Sequence, residues 1–363
     1  MNIVIDIRAL SNRKLTGIGK YIYHSLENIL DLDKVNKYYL FSSGIKKPMP
    51  PDFPLSANFE YIHIFWPNKL LNFAIWAGLI NLDKFLPKNI DLVWLPNLNF
   101  ARFRKDLPFV LTIHDLSFLH SREFYSMKRR RWHKLVKVSN LVDKAKKIIT
   151  VSYNTKRDIV RFFPLSEDKT SVINPGLSYN KMTSDEAKNL TSAFKLKNDF
   201  YLYVGTLEPR KNILSIVRAF DHFQKDYPET ELVIVGAQGW VYSRLLKSIK
   251  NRPYVHYLNY LDGPQKDALY HLCQAFIWPS FYEGFGFPPL EAIAHHKPLI
   301  VSYKTSLPEI IKQGAIYVDP YNIADIYQAM KMLREDSDLR NKMIDSAKNF
   351  SLPDWSNQTK KII

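Results

Sequence analysis

Cysteine is almost absent: Cys273 is the single one in 363 residues. That excludes an intramolecular disulfide and a cysteine zinc cluster, and it fits a reducing cytoplasm. Long apolar runs are missing as well. The longest, "LLNFAIWAGLI" at 70–80, has eleven residues including one Asn, whereas a bilayer span needs about 20. The opening "MNIVIDIRAL" carries Asp6 and Arg8 and reads as a strand, not as a secretion signal. Acidic side chains are in deficit, with 35 Asp+Glu against 51 Lys+Arg and a formal net charge of +16. Residues 1–175 hold 28 Lys+Arg against 15 Asp+Glu, and the excess peaks over 122–161, with "KRRRWHKLVK" at 128–137 and "KAKK" at 144–147. Such a run is either a solvated helical face or a surface for an acidic partner: an anionic membrane, a diphosphate lipid or nucleic acid.

What is present in quantity is apolar: 46% of the chain, enough for large packed cores. Short runs of Val, Ile, Leu and Tyr alternate with helical patterns. Strands are expected at 2–7, 37–43, 59–65, 91–96, 108–115, 146–152 and 170–174, then at 200–205, 231–236, 254–259, 275–280, 298–303 and 315–319. Helices are expected at 18–31, 68–86, 126–145 and 153–163, and near 212–226, 241–250, 264–273, 286–296 and 322–334. The run 70–80 is read first as part of a core helix, with a contribution to membrane contact as the alternative. Apolar strands without strict alternation suit parallel sheets covered on both faces, and strand–helix alternation suits doubly wound α/β domains. The turn formers of "NPGLSYNKMTSDEAKN" at 174–189 mark a linker between the two series. Open parallel sheets bind ligands beyond the carboxyl ends of their strands, so chemistry is expected in the residues just after strands.

Four stretches stand there. Gly17 and Gly19 in "LTGIGKYI" precede a helix, an ordinary glycine turn or a place where backbone approaches a phosphate. His114 and Asp115 follow the strand ending at 113, with His120 a weaker candidate. Thr206, Arg210 and Lys211 in "GTLEPRKN" precede a helix, and two adjacent cations beside a helix N-terminus suit a diphosphate. The fourth, "FYEGFGFPPLEA" at 281–292, sets Gly284, Phe285, Gly286 and Phe287 before a proline-started helix, with Glu283 outside it and Glu291 inside. Backbone N–H groups of 284–287 suit a phosphate, and two separated carboxylates suit hydroxyls. Together these features ask for a nucleotide sugar.

"PSFYEGFGFPPLEAIAHHKPLIVS", with "GTLEPRKN", "HDLSFLH" and "LTGIGKYI", strongly resembles the family-4 retaining glycosyltransferases of the GT-B fold, closest to their bacterial mannosyltransferase-like branch. The motifs fall in the family's order, and the ending "NFSLPDWSNQTKKII" is similar to its last segment, so the resemblance covers nearly the whole chain. It implies an α/β GT-B architecture: two doubly wound Rossmann-like domains facing a cleft. Residues 1–175 would be the acceptor side, 176–348 the nucleotide-sugar side, and 349–363 a segment whose helix crosses back to the N-terminal domain. It implies that Glu283 contacts the donor sugar and Glu291 the ribose diol. Arg210 and Lys211 would neutralise the diphosphate, approached by the Gly17–Gly19 loop, and His114 would sit beside the transferred sugar. Some members carry an Arg where this chain has Thr206, so that role shifts to Arg210 or vanishes.

The expected function is therefore metal-independent, retaining transfer of a hexose, mannose from GDP-mannose foremost, to a glycan or lipid-linked glycan in polysaccharide or O-antigen-type synthesis. No cofactor beyond the donor is expected, and nucleic acid is not an expected partner. The location would be cytoplasmic, with contact to the anionic inner membrane surface through 122–161. UDP-glucose or UDP-N-acetylglucosamine are the alternative donors. A nucleotide-sugar epimerase and a basic nucleic-acid- or membrane-binding module are the remoter readings. "DLD" at 31–33 and "DSD" at 336–338 match a metal-binding D-x-D formally, but both fall at expected helix ends, where Asp serves as a cap.

Overall fold

The computed structural model describes all residues except 12–14, 46–57, 198, 240–241 and 262. Contacts divide the chain into two compact units: Met1–Gly176 together with Pro353–Ile363, and Leu177–Leu352.

The first unit is built on a seven-stranded parallel sheet. Its strands are β1 (Asn2–Asp6), β2 (Lys37–Ser43), β3 (Phe59–Ile64), β4 (Leu92–Leu95), β5 (Phe109–Ile113), β6 (Lys147–Thr150) and β7 (Thr170–Val172), in the order β3-β2-β1-β4-β5-β6-β7. The second holds a six-stranded parallel sheet of β8 (Phe200–Val204), β9 (Glu231–Val235), β10 (Val255–Leu258), β11 (Ala275–Trp278), β12 (Leu299–Ser302) and β13 (Ala315–Val318), in the order β10-β9-β8-β11-β12-β13. Central strands such as β8, β9, β11 and β12 are buried along their whole length. Covering both faces of a sheet selects this unbroken apolar character. Each sheet reverses its winding once, between β1 and β4 in the first and between β8 and β11 in the second. At such a switch point the connections leave on opposite faces and open a crevice beyond the strand ends.

All thirteen expected strands form, and most expected helices appear within a residue or two. Three departures have physical causes. The helix expected at 126–145 breaks into Met127–Val136 and Val138–Lys144, because Lys137 adopts a left-handed conformation (φ 54°). The helix expected at 68–86 stops at Trp76, and Gly78 turns with φ +77°. Part of the expected linker folds as the helix Ser184–Thr191, started by a capping box in which Thr183 and Glu186 satisfy each other's backbone N–H. The final segment docks in the first unit. Its helix Trp355–Thr359 packs on the helix Gly17–Leu32, with the Trp355 ring 5.4 Å from His24 and 6.0 Å from Tyr21.

Candidate active site

In the second unit, both sides of the switch point contribute charge. β8 delivers a loop whose short 3-10 turn Pro209–Lys211 ends at Asn212, held left-handed (φ 59°) by side-chain hydrogen bonds to the Pro279 and Pro320 carbonyls. That conformation starts the helix Ile213–Asp226 and turns Arg210 and Lys211 towards the segment following β11. There Glu283 receives them. Lys211 Nζ donates to Glu283 Oε1 at 2.7 Å and Oε2 at 2.9 Å, and Arg210 Nη1 donates to Oε2 at 3.3 Å and to the Tyr282 carbonyl at 2.6 Å. Glu208 lies 3.7 Å from Arg210.

The cluster is nearly dry: the Lys211 and Glu283 side chains are 12% and 6% exposed. Burial pulls Lys211 below the usual lysine range, and neighbouring Arg210 adds to it. The Lys211 ammonium also sits 4.7 Å over the face of Trp278, which stacks on Tyr203 at 4.9 Å. Gly205 makes that stack possible, since a Cβ there would lie 2.6 Å from the Trp278 ring. Burial, then the charge of Glu283, raises Tyr203 far above its normal range, so its hydroxyl stays neutral. The turn around Glu283 is pinned independently. Its N–H donates to Thr305 Oγ1 at 3.0 Å, and Ser306 Oγ bridges the Glu283 and Phe285 carbonyls at 3.0 and 3.1 Å.

The expected division of labour, with cations for phosphate and Glu283 for sugar hydroxyls, thus takes a different form here: the three groups pair with one another. Closing a buried carboxylate against its own cations is the least costly arrangement for charges removed from water. Glu291 behaves likewise. It lies on the buried face of the helix Phe287–Ala294, accepting from Lys266 Nζ at 2.6 Å and from the Tyr270 hydroxyl at 3.0 Å. Sequence reasoning missed Lys266, Tyr270, Thr305 and Ser306. Of these, only Ser306 preceding Pro308 resembles a local helix-start signal, and the rest meet their partners through tertiary packing alone.

Gly286 caps that helix with φ 102°, a conformation glycine adopts freely. Pro288 and Pro289 carry no N–H, so the first turn presents fewer donors than an ordinary helix start. Phe285 is buried and meets Phe287 edge to face at 5.2 Å. Thr206 lies between β8 and the 3-10 turn, where its carbonyl accepts from the Glu208 N–H at 2.9 Å.

In the first unit, Gly17 and Gly19 are not in a loop. They form the first turn of Gly17–Leu32, and the Gly19 N–H donates to the capping Thr16 hydroxyl at 3.3 Å. His114 and Asp115 each have a hydrogen-bond partner of their own. His114 Nε2 lies 2.8 Å from the Pro96 carbonyl just after β4, whereas Asp115 accepts from the Ser117 N–H at 3.0 Å and from its hydroxyl. A carbonyl only accepts, so Nε2 carries the proton. Burial holds His114 below the usual histidine range, leaving a neutral ring whose Nδ1 is unprotonated. His120 is taken up by Asp158 at 2.8 Å. At this sheet's switch point Arg8 is buried and clamped by Asp6 at 2.6 to 3.1 Å, a pairing that the strand reading of the N-terminus overlooked. The two D-x-D matches are caps: Asp33 closes one helix, and Asp336 accepts from Leu339 N–H to open another. Among the described residues, no group of three or more His, Cys, Asp or Glu is placed to hold a metal ion.

Two doubly wound parallel-sheet units are the architecture of the GT-B fold, and the comparisons agree on a glycosyltransferase. Residues 185–350 match the glycosyl transferases group 1 model, and residues 38–181 match Glycosyltransferase Family 4. The chain is 30% identical over 268 residues to O-antigen chain mannosyltransferase B of Escherichia coli, covering 70% of this chain and 68% of that protein. It is 28% identical over 339 residues to the O-antigen chain mannosyltransferase RfbU of Salmonella typhimurium, covering 90% of each. The structure of WaaG, a glycosyltransferase involved in lipopolysaccharide biosynthesis, superposes with a TM-score of 0.76 at 14% identity, covering 100% of this chain and 98% of that one. The chain belongs to the family-4 glycosyltransferases.

Proposed function

We propose that this glycosyltransferase moves mannose from GDP-mannose to a glycan or lipid-linked glycan, retaining the anomeric configuration, in O-antigen-type polysaccharide synthesis on the cytoplasmic side of the membrane. The observation that carries the reading is the Arg210–Lys211–Glu283 cluster at the β8/β11 switch point. The mannosyltransferase relatives support the choice of donor. The donor's diphosphate would take Arg210 and Lys211 from Glu283, which then accepts hydrogen bonds from sugar hydroxyls. Glu291 would accept the ribose diol, and His114 would orient the transferred sugar.

The reaction breaks the bond between the anomeric carbon and the diphosphate oxygen, and negative charge builds on the leaving group. Preorganised cations stabilise that charge without reorganising, and removing one such group typically costs about 10²–10³ in rate. The acceptor hydroxyl attacks from the face the diphosphate leaves. Its proton passes to a phosphate oxygen, so no separate protein nucleophile or base is required. The chain's own cations do the neutralising, which is why metal-independent transfer is part of the proposal.

A thermal-shift panel tests the donor. A ligand at a hundred times its Kd stabilises by about 2.7 kcal/mol, so GDP-mannose should raise the melting temperature and UDP-glucose or UDP-N-acetylglucosamine should not. Stabilisation by a UDP-sugar but not by GDP-mannose would overturn the assignment.

A further inference from the structure

The helix Asn68–Trp76 is apolar on two sides. Leu71, Ala74 and Ile75 are buried in the first unit, which accounts for the helix being held there. Its opposite face carries Leu70, Phe73 and Trp76, 61%, 58% and 40% exposed, and Leu79 beyond the helix is 67% exposed. The core reading of 70–80 therefore holds for one face alone. Single exposed apolar residues need no explanation, but a contiguous stripe at helical spacing does.

Basic groups border the stripe. Lys69 is exposed in the first turn of this same face, and the Arg102 guanidinium occupies the space a Cβ on Gly78 would fill. Lys137 Nζ lies 5.9 Å over the Trp76 ring. Lys137 ends the helix Met127–Val136, whose residues 128–131 are exposed Lys and Arg, with Met127 and Leu135 also exposed.

We propose that the outer face of Asn68–Trp76, with Leu79, inserts into an anionic bilayer surface, where the basic helix Met127–Val136 binds the lipid headgroups. A helix of nine residues is about 14 Å long, far short of the roughly 30 Å hydrocarbon core. It therefore lies in the interface, as amphipathic anchors with cationic borders do. Trp76 suits that depth, its ring apolar and its N–H polar. Charge complementarity selects the bilayer over a second copy of the chain, because self-association through this face would bring two basic helices together. The proposal extends the lipid-linked acceptor reading: it sets the first unit on the surface where such an acceptor resides.

Cosedimentation of the full chain with vesicles tests it, using equal parts phosphatidylglycerol and phosphatidylcholine against phosphatidylcholine alone. Binding to the anionic vesicles is expected, weakening as salt rises. The double substitution Phe73→Ser with Trp76→Ser should cut the partition coefficient at least tenfold, since the two side chains supply much of the inserted apolar area. An unchanged near-UV circular dichroism spectrum would show that the fold is kept. Arg129→Glu with Arg131→Glu should also lower binding, by roughly fivefold or more for each charge. Three results would overturn the proposal: no binding at low salt, undiminished binding by the serine variant, or a wild-type dimer that the serine variant dissolves. Donor hydrolysis without vesicles is read in parallel, so a failure of lipid binding is distinguished from a failure of the glycosyltransferase assignment.

Discussion

Lys211→Met and Glu283→Gln, alone and together, probe the cluster most sharply. Each single change leaves a buried charge short of its principal partner. Breaking one side of a buried pair costs about 3–5 kcal/mol, and side chains only 12% and 6% exposed gain little screening from water. Lys211→Met leaves the carboxylate to the longer Arg210 contact at 3.3 Å. Glu283→Gln leaves Lys211, already depressed by burial, beside Arg210 without their shared anion. In a unit of this size 1 kcal/mol moves the melting temperature by about 2–4 °C, so each single variant should lose on the order of 10 °C. The double variant carries neither charge and should lose less than the sum of the singles, with a coupling of about 2 kcal/mol. Differential scanning calorimetry reads all four proteins. Losses that add to within about 0.5 kcal/mol, or single variants that melt like the wild type, would refute the pairing. Turnover should fall by about 10²–10³ in both singles and stay low in the double, because a stability coupling does not restore the groups proposed to meet the donor.

Acid sensitivity has a source outside the site. Burial holds His133 at about 4 against an ordinary 6.5, with Asp115 opposing and Arg129 adding to the depression. The unfolded chain binds a proton that the fold refuses, so stability falls as pH drops from 6.5 through about 4, by roughly 2–3 kcal/mol once water screening of the partly exposed ring is allowed for. His133→Phe, kept stacked on Phe118, should flatten that limb of a urea stability–pH curve, and an unchanged slope would contradict the assignment. Glu291→Ala removes a charged acceptor worth about 1.5–3 kcal/mol. Binding of GDP, measured by calorimetry, should weaken roughly 10–100-fold, and equal affinity would remove Glu291 from the nucleotide site. Gly176→Ala would put a Cβ 2.4 Å from the Trp355 backbone nitrogen. The C-terminal segment should then become open to limited proteolysis, whereas continued protection would show that the contact yields.

The strands were legible because β8, β9, β11 and β12 are buried along their length and so spell themselves as apolar runs between turn formers. The left-handed turn at Asn212 was not read from the sequence, although a short polar residue before a helix tolerates that region. Pairings were not legible. Glu283 stands 72 residues from Lys211, and no local pattern states that they neutralise each other. Lys266 lies in a helix with no motif of its own and meets Glu291 only because the two helices pack. The helix Asn68–Trp76 was harder to read for a related reason: a dense apolar run suggests burial, and only the fold shows which face is uncovered.

In the proposed function the switch-point cations hold the donor's diphosphate. Titration calorimetry of GDP-mannose into the full chain and into Lys211→Met tests it most directly. Binding by the wild type and a loss on the order of 100-fold in the variant are the predicted results. Equal affinity in the two proteins would contradict it.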